Sequence, residues 1–198
     1  MCSNVQALLK PALEITRIVM REITKLESRV VYANKWMSVR EDKVLRPSGA
    51  EGIFGVVDKP DFAVILPVEQ GHIHLVQQYR YPVEARYWEL PQGSWEENPI
   101  ADHLALAAGE LKEETGLVAA SMVYVGHQYL AYGYSSQGYH IYLATQLTQG
   151  QTDLDTEEEG LISRRFSLQE FEAMIIAGDI KDATTVNAYG LAKIKGML

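Results

Sequence analysis

The sequence predicts an α+β fold, in which a mixed β-sheet is flanked by helices and preceded by an N-terminal β-rich arm. Two observations predict this class. Short runs of β-type residues fill much of the chain from Arg29 onward, and several clear helical patterns come after the first strands. A length of 198 residues suits one compact domain, or one domain with an added arm, better than two independent cores.

The chain divides into three expected parts. Residues 1–27 are interpreted as a helical extension, because apolar residues recur there at helical spacing. Residues 28–60 are assigned to a β-rich arm, because the pattern changes to short β-type runs separated by turn residues. Residues 61–198 are expected to form the main domain.

Individual elements follow from periodicity and from turn and capping residues. The predicted strands lie at residues 30–32, 37–44, 52–57, 62–67, 72–79, 88–91, 121–125 and 139–146, and one more begins at Phe166. The predicted helices lie at residues 5–26, 101–115, 168–177 and 184–195. The helix over 101–115 should end at Gly116, since glycine is favoured just after a helix.

Composition excludes several classes of partner. Lysine and arginine total 18 against 26 acidic residues, which gives a net charge of −8. Binding to nucleic acid polymers or to anionic membranes needs a basic face, so neither is expected. The single cysteine, Cys2, cannot form an internal disulfide, and no apolar run is long enough to cross a bilayer. A reducing, cytoplasmic location is the expectation.

The most informative segment is the helix that carries Glu110, Glu113 and Glu114. Their spacing of i, i+3 and i+4 places all three carboxylates on one helical face. That arrangement is unfavourable, because like charges repel and the C-terminal end of a helix carries a partial negative charge. The face is therefore either a solvated acidic surface or a site for hard divalent cations, and the helix pattern alone does not decide between them.

Residues 109–117, read together with the Glu-Leu-Pro-Gln-Gly sequence that ends at Gly93, resemble the Nudix hydrolase signature. The aliphatic, acidic and glycine positions of its C-terminal half are matched by Glu110, Leu111, Glu113, Glu114, Gly116 and Leu117. This resemblance implies the α/β/α Nudix fold and a metal site that contains the three glutamates.

Three departures from the signature bear on that site. Gly109 occupies the arginine position, and Gly93 lies two residues further upstream than the consensus glycine. The first glutamate of the signature is also missing, since Pro99 and Ala101 occupy its two registers. The family arginine orients the glutamates, so its replacement should loosen the site without removing a metal ligand.

The segments at residues 76–82 and 88–93, and the arm with Trp36, Arg40 and Arg46, resemble the ADP-ribose pyrophosphatase branch of the family. In that branch the arm is exchanged between two subunits, and the nucleotide base stacks on aromatic residues near the interface. The resemblance implies a homodimer, with Trp36 or Tyr32 as a stacking group and Arg40 among the residues that bind substrate. Packing of these aromatic residues within the arm's own sheet is at least as well supported.

The same resemblance implies roles for further residues. Arg80 is a phosphate contact, because guanidinium binds phosphate oxygens through paired hydrogen bonds. Glu89 is expected to add an oxygen ligand at the edge of the site and is counted among the substrate-binding residues, and the Gln92 carbonyl is a main-chain metal ligand. The acidic loop over residues 149–160 contributes the general base, with Glu157 and Glu159 as the better candidates and Glu158 still open.

The implied reaction is Mg²⁺-dependent hydrolysis of ADP-ribose to AMP and ribose 5-phosphate, with Mn²⁺ as an alternative cation. NADH and nucleotide sugars such as GDP-mannose share the same diphosphate and stay open as substrates. A rival interpretation is a non-catalytic Nudix-fold module that binds or senses a nucleotide. Gly109 and the missing first glutamate motivate that rival.

Overall fold

A computed structural model of the chain describes residues 22–95, 102–151 and 159–198. Within those ranges there are ten strands, three α-helices and one 3₁₀ turn. The strands are β1 Thr24–Ala33, β2 Ser38–Leu45, β3 Glu51–Asp58, β4 Phe62–Glu69, β5 His72–Arg80, β6 Ala85–Glu89, β7 Gln92–Gly93, β8 Leu117–Tyr129, β9 Gly138–Gln149 and β10 Ile162–Ser167. The helices are α1 His103–Thr115, α2 Leu168–Ala177 and α3 Ala183–Ile194, and the 3₁₀ turn is Tyr81–Val83.

The arm is a separate three-stranded antiparallel sheet in the order β1-β2-β3. Its first strand begins at Thr24, so the helix predicted over residues 5–26 is wrong for residues 24–26. Residues 1–21 of that prediction lie outside the described residues. The apolar residues that suggested a helix continue into a strand, because Val30, Val31 and Tyr32 favour the extended backbone.

The main sheet has the order β10-β5-β4-β9-β8, with β6 added to β5 and β7 added to β4. Its centre is the parallel pair β4 and β9, and the other pairs are antiparallel. Strand β4 reads Phe-Ala-Val-Ile-Leu-Pro-Val-Glu, a nearly continuous apolar run that is typical of a strand covered on both faces. Residues 63–67 of that strand are accordingly buried.

The two faces of β4 belong to two different cores. Ala63 and Ile65 pack with α1, mainly against Leu106, Ala107 and Leu111. The alternate residues of β4 pack on the opposite face with α2 and α3, in a core that contains Val64, Leu66, Phe171, Ala188 and Tyr189. The predicted fold class, a mixed sheet flanked by helices, is therefore confirmed.

Helix α1 has clear signals at both ends. The Asp102 side chain accepts a hydrogen bond from the Leu104 backbone nitrogen, which satisfies one of the free N–H groups of the first turn. At the other end Gly116 adopts a φ of 72°, a conformation that glycine takes without strain, as predicted. The predicted helix start at residue 101 falls outside the described residues, and the described helix begins at His103.

The strand predicted over residues 88–91 is only partly correct. Strand β6 runs from Ala85 to Glu89 and ends before Leu90 and Pro91. Proline has no N–H to donate to a ladder, so the chain leaves β5 at this point. It then pairs with β4 through Gln92 and Gly93. This change of partner strand brings the 89–93 segment against α1.

Candidate metal centre

The acidic face of α1 is largely buried. Its apolar residues Leu106, Ala107 and Leu111 fix the rotation of the helix against the sheet. As a consequence Glu110 is 5% exposed and Glu114 is 1% exposed, while Glu113 is half-buried. A solvated acidic surface does not describe two of the three glutamates. Two carboxylates one helical turn apart in a water-poor environment repel each other strongly, and a cation between them removes that penalty.

The Gln92 backbone is tied to this face. Its N–H donates to Glu114 Oε2 over 3.0 Å, and Gln92 pairs with Val64 of β4. The carboxylate of Glu114 is thus anchored to the main sheet and is oriented by it. The predicted metal set of Glu110, Glu113, Glu114 and Gln92 therefore comes from two adjoining pieces of chain, α1 and β7.

Gly93 allows the Glu110 carboxylate to approach the sheet. A Cβ atom at position 93 would lie 2.2 Å from Glu110 Oε2, which is closer than any two such atoms can come. The space beside Gly93 is filled by a carboxylate rather than by a side chain of the turn. The donors at this place are oxygens, the ligand type that Mg²⁺ prefers, so the residues fit the cation that the sequence implied.

The presence of glycine at position 109 has a structural reason that the sequence did not reveal. A Cβ atom there would lie 2.6 Å from Cζ2 of Trp95, and Trp95 packs against the core beneath α1. The indole therefore occupies the space next to the position where the family signature has arginine. This packing explains why position 109 has no side chain, and the expectation that the site is loosened stays a prediction.

Arg80 and Glu89 form a pair at the edge of the site. Arg80 Nη2 lies 2.7 Å from Glu89 Oε1, and Arg80 Nε donates to Glu89 Oε2 over 3.3 Å. Glu89 is only 4% exposed, and this burial raises the pKa of its carboxyl, although Arg80 opposes the shift. The pair leaves part of the Arg80 guanidinium exposed, so Arg80 is held in place by a carboxylate and still faces solvent.

The N-terminus of α3 holds the 89–93 segment from the other side. Thr185 Oγ1 accepts a hydrogen bond from the Leu90 backbone nitrogen over 2.8 Å. Asp182, which caps α3, accepts bonds from the Thr185 nitrogen and hydroxyl and from Gln92 Nε2 over 3.4 Å. Sequence reasoning missed both residues. The capping pattern of Asp182 was readable, but the contact with a segment 90 residues away was not.

The arm residues are placed apart from α1. Trp36 lies in the turn between β1 and β2, with Lys35 Nζ 4.3 Å from its ring centroid. Arg40 on β2 lies 2.6 Å from a carboxylate oxygen of both Asp42 and Asp58. These contacts of Trp36 and Arg40 are with residues of the arm itself.

The acidic loop is described only at its end. Glu157 and Glu158 lie outside the described residues, whereas Glu159 is exposed and begins a turn. Arg86 Nη1 on β6 donates to the Gly160 carbonyl over 2.8 Å, so the loop end is fixed to the strand that also carries Glu89. Arg86 is thereby held by a main-chain carbonyl at the end of the loop.

Comparison with known families matches nearly all of the described chain. Residues 23–57 match a nucleoside diphosphate sugar hydrolase N-terminal domain, and residues 58–187 match the NUDIX domain. No helix within the described ranges is long and apolar enough to cross a membrane.

Curated relatives share about a quarter of their residues with this chain. An ADP-ribose pyrophosphatase of Mycobacterium tuberculosis is 28% identical over 81% of this chain and 78% of its own length. An ADP-ribose pyrophosphatase of Bacillus subtilis is 26% identical over 85% and 91%. A methanol dehydrogenase activator of Bacillus methanolicus is 26% identical over 82% and 88%.

A solved structure has the same fold. The crystal structure of an ADP compounds hydrolase superposes with a TM-score of 0.79, covering 90% of this chain and 97% of the other at 22% identity.

Proposed function

The chain belongs to the NUDIX domain family, and we propose that it hydrolyses the diphosphate bond of a nucleoside diphosphate derivative with Mg²⁺ or Mn²⁺. The best supported substrate is ADP-ribose, which would yield AMP and ribose 5-phosphate. One observation carries the proposal, namely that Glu110 and Glu114 are buried side by side against the Gln92–Gly93 backbone. Two curated relatives named ADP-ribose pyrophosphatases support the choice of substrate.

Glu110, Glu113 and Glu114, with the Gln92 carbonyl, would hold the cation. When bound, Mg²⁺ offsets the negative charge of the diphosphate and lowers the pKa of water. The Gln92 N–H keeps the Glu114 carboxylate oriented toward this site, and Gly93 leaves room for Glu110. Preorganisation of this kind avoids rearrangement of charged groups during the reaction.

Arg80 binds and orients the diphosphate. Its guanidinium has several N–H donors, so contacts with Glu89 leave other donors for phosphate oxygens. Glu89 then acts as a positioning residue, because it fixes the arginine rather than touching the substrate. Gln92 Nε2 donates to Glu89 Oε2 over 3.3 Å and links this pair to the carboxylate face.

A glutamate of the acidic loop, Glu157 or Glu159, takes the proton from the attacking water. The water oxygen forms a bond to one phosphorus as the bond from that phosphorus to the bridging oxygen breaks. The bridging oxygen leaves with the other phosphate. Arg86 positions the loop through the Gly160 carbonyl, next to Glu159.

The same proposal includes a homodimer formed through the arm. All ten residues of β1 are exposed, and Val30 is 63% exposed. A three-stranded sheet with so little burial gains stability when a second copy covers it. The interface would bring Trp36 and Arg40 toward the partner's site. A cytoplasmic location fits the single cysteine.

The direct test compares wild type with Glu114→Gln in an ADP-ribose hydrolysis assay at saturating Mg²⁺. Loss of a buried ligand should lower kcat/KM by about a hundredfold or more, since metal stabilisation of the transition state amounts to several kcal/mol. Glu51→Gln, which neutralises an exposed glutamate of the arm, is the matched control and should keep the wild-type rate. Equal rates for wild type and Glu114→Gln would refute the metal assignment.

A substrate panel tests the remaining choice. ADP-ribose, NADH and GDP-mannose are incubated with the enzyme, and phosphate is measured after addition of a phosphatase. ADP-ribose should give the highest kcat/KM. If no compound with a nucleoside diphosphate turns over, the enzymatic function is wrong.

The second candidate function is a nucleotide-binding regulatory module. Gly109 and the absent first glutamate favour it, and one relative is named an activator of another enzyme. Tight ADP-ribose binding with no turnover in saturating Mg²⁺ or Mn²⁺ would establish this alternative. Measurable hydrolysis that Glu114→Gln abolishes would exclude it.

A further inference from the structure

A second group of ligand-type side chains lies outside the carboxylate face. Asp61 directly precedes β4, His127 lies on β8, and His140 lies on β9. His127 and His140 are directly opposite each other in the antiparallel pair, so both side chains project to the same side of the sheet. His140 pairs with Ala63 of β4, which places Asp61 beside the two imidazoles.

The donor atoms of the three residues converge. His127 Nε2 lies 3.0 Å from Asp61 Oδ2, and His140 Nε2 lies 3.8 Å from the same oxygen. One donor atom from each residue lies within 4.8 Å of the other two. Tetrahedral zinc with bonds of about 2.1 Å has its ligands about 3.4 Å apart, and the two spacings to Asp61 bracket that value.

Surrounding groups hold two of the three ligands in orientation. The Gly138 N–H donates to Asp61 Oδ1 over 2.7 Å, which leaves Oδ2 toward the imidazoles. Tyr124 Oη lies 3.3 Å from His140 Nδ1. In the tautomer that carries its proton on Nδ1, Nε2 has a free lone pair for a cation beside Asp61. Metal-binding histidines are commonly fixed through their second nitrogen in this way.

Two further contacts shape the same place. The His103 ring of α1 stacks on His140 with a centroid distance of 4.1 Å. A Cβ atom at position 138 would lie 2.2 Å from His127 Nε2, so only glycine lets this imidazole sit where it does. The residues are half-buried or exposed, and an ion can reach them from solvent.

We propose that Asp61, His127 and His140 form a second metal site that binds a divalent cation of the Zn²⁺ type. Two imidazoles and one carboxylate suit zinc and related first-row metals, whereas Mg²⁺ prefers a set of oxygens. The chain would then carry two sites that select different cations. Three protein ligands leave one position of a tetrahedral zinc for water.

The site lies where the arm joins the main domain. Asp61 follows the last arm strand, which ends at Asp58. The loop between β8 and β9 already contacts this junction. Ser136 Oγ donates to Asp58, and Gln137 Nε2 donates to the Pro60 carbonyl over 2.8 Å. A cation shared by Asp61, His127 and His140 would add a link between the junction and two strands of the main sheet.

The test is a Zn²⁺ titration by calorimetry of the full chain in excess Mg²⁺, which competes with Zn²⁺ for oxygen-only sites. Wild type should bind one equivalent of Zn²⁺, and His127→Gln or His140→Gln should weaken that affinity about tenfold or more. His72→Gln is the control, because His72 is a histidine outside the cluster whose ring contacts the Gln70 carbonyl. Co²⁺ gives a second readout, since imidazole-bound tetrahedral Co²⁺ absorbs visible light strongly.

The results of the Zn²⁺ titration distinguish the second metal site from the proposed hydrolase function. Circular dichroism verifies the fold of each variant, and Gly138→Ala, which should displace His127, provides an independent variant. Unchanged Zn²⁺ binding in both folded histidine variants would overturn the site. Loss of Zn²⁺ binding in Glu114→Gln, with retention in the histidine variants, would place the zinc on the carboxylate face and overturn it as well. Absence of hydrolytic activity has no bearing on these results.

Discussion

The arm and the main sheet are built from similar β-type sequence but reach opposite states of burial. In the main sheet, Ile65 and Leu66 of β4 and Leu75 of β5 are fully buried. In the arm, every residue of β1 is exposed, and exposed ion pairs such as Lys43–Glu27 join its strands. Burial stabilises a sheet by itself, whereas exposed ion pairs contribute little.

This contrast separates the two parts of the candidate site. The carboxylate half is positioned by α1, β4 and β7, all of which are packed into the main domain. The residues proposed to contact the nucleotide base lie on a sheet that has almost no core of its own. Metal binding should therefore depend on one chain, while recognition of the base should depend on the assembly of two.

The largest expected effect is the loss of stability in Leu66→Ala of β4, compared with Val30→Ala of β1. Leu66→Ala should lower the free energy of unfolding by about 2–5 kcal/mol, because it leaves a cavity in the core. Val30→Ala should change it by no more than about 0.5 kcal/mol at protein concentrations where the chain is monomeric. Urea unfolding measures both values.

The arm variant also tests the dimer. Val30→Ala should weaken association by about 1 kcal/mol, measured by sedimentation, because the side chain would be buried only in the assembly. Equal destabilisation of the monomer by both substitutions would show that the arm has a core of its own, and unchanged association would count against an interface at β1.

An intermediate effect is expected for Gly109→Arg, which restores the residue of the family signature. Replacing glycine within a helix should gain about 0.5–1 kcal/mol, but the clash with Trp95 should cost about 1–3 kcal/mol. We expect net destabilisation and no increase in hydrolysis, measured by thermal unfolding and by the ADP-ribose assay. Adding Trp95→Ala should recover part of the loss.

Ala108→Arg is the control for that substitution, because Ala108 is exposed on the same helix and should tolerate a long side chain. A Gly109→Arg variant that is both stable and more active than wild type would show that Trp95 does not replace the family arginine. It would also show that activity is limited by how well the residue at position 109 orients the α1 carboxylates.

The smallest effect concerns Asp58 in the arm. Burial opposes ionisation of Asp58, but hydrogen bonds from Arg40 and Ser136 outweigh it and hold the pKa of this carboxyl below its usual value. Its contribution to stability is therefore complete above the unfolded pKa of about 3.9 and is lost as the pH falls through the folded pKa. Because Asp58 is partly exposed, the contribution should be below about 1 kcal/mol.

The measurement compares unfolding of wild type and Asp58→Asn from neutral pH down to pH 3. The difference should be present at neutral pH and should shrink below about pH 4. A difference that persists unchanged into acid would mean that the effect of the substitution is not ionic. Glu51→Gln, outside this ion pair, should show no comparable trend.

Local patterns explain what the sequence could predict. The shared face of the α1 carboxylates could be predicted from the sequence, because the i, i+3 and i+4 spacing and the terminal glycine are properties of nine consecutive residues. The central strands could be predicted from the sequence, because apolar runs such as Phe62–Glu69 lie between turn residues. The strand predicted over residues 88–91 was placed two residues too far toward its C-terminal end. The chain stops pairing with β5 and begins pairing with β4 at this point, and that change depends on tertiary packing.

Long-range contacts explain the rest. The contact of Trp95 with Gly109 and that of Thr185 with Leu90 join residues whose proximity no periodicity reveals. The cluster of Asp61, His127 and His140 draws on three separate strands or their ends, so no spacing rule brings it together. The homodimer, the roles of Trp36 and Arg40, and the choice between Glu157 and Glu159 stay predictions.

The contact of α3 with the Glu89–Gly93 segment has a consequence for the order of biosynthesis. Thr185 and Asp182 hold the Leu90 nitrogen and the Gln92 side chain, although they are made about 90 residues later. During translation, α1 and β7 leave the ribosome before this support exists. The nascent chain should therefore be a poor metal binder and an inactive hydrolase until α3 has docked, which delays catalysis until the main domain is complete.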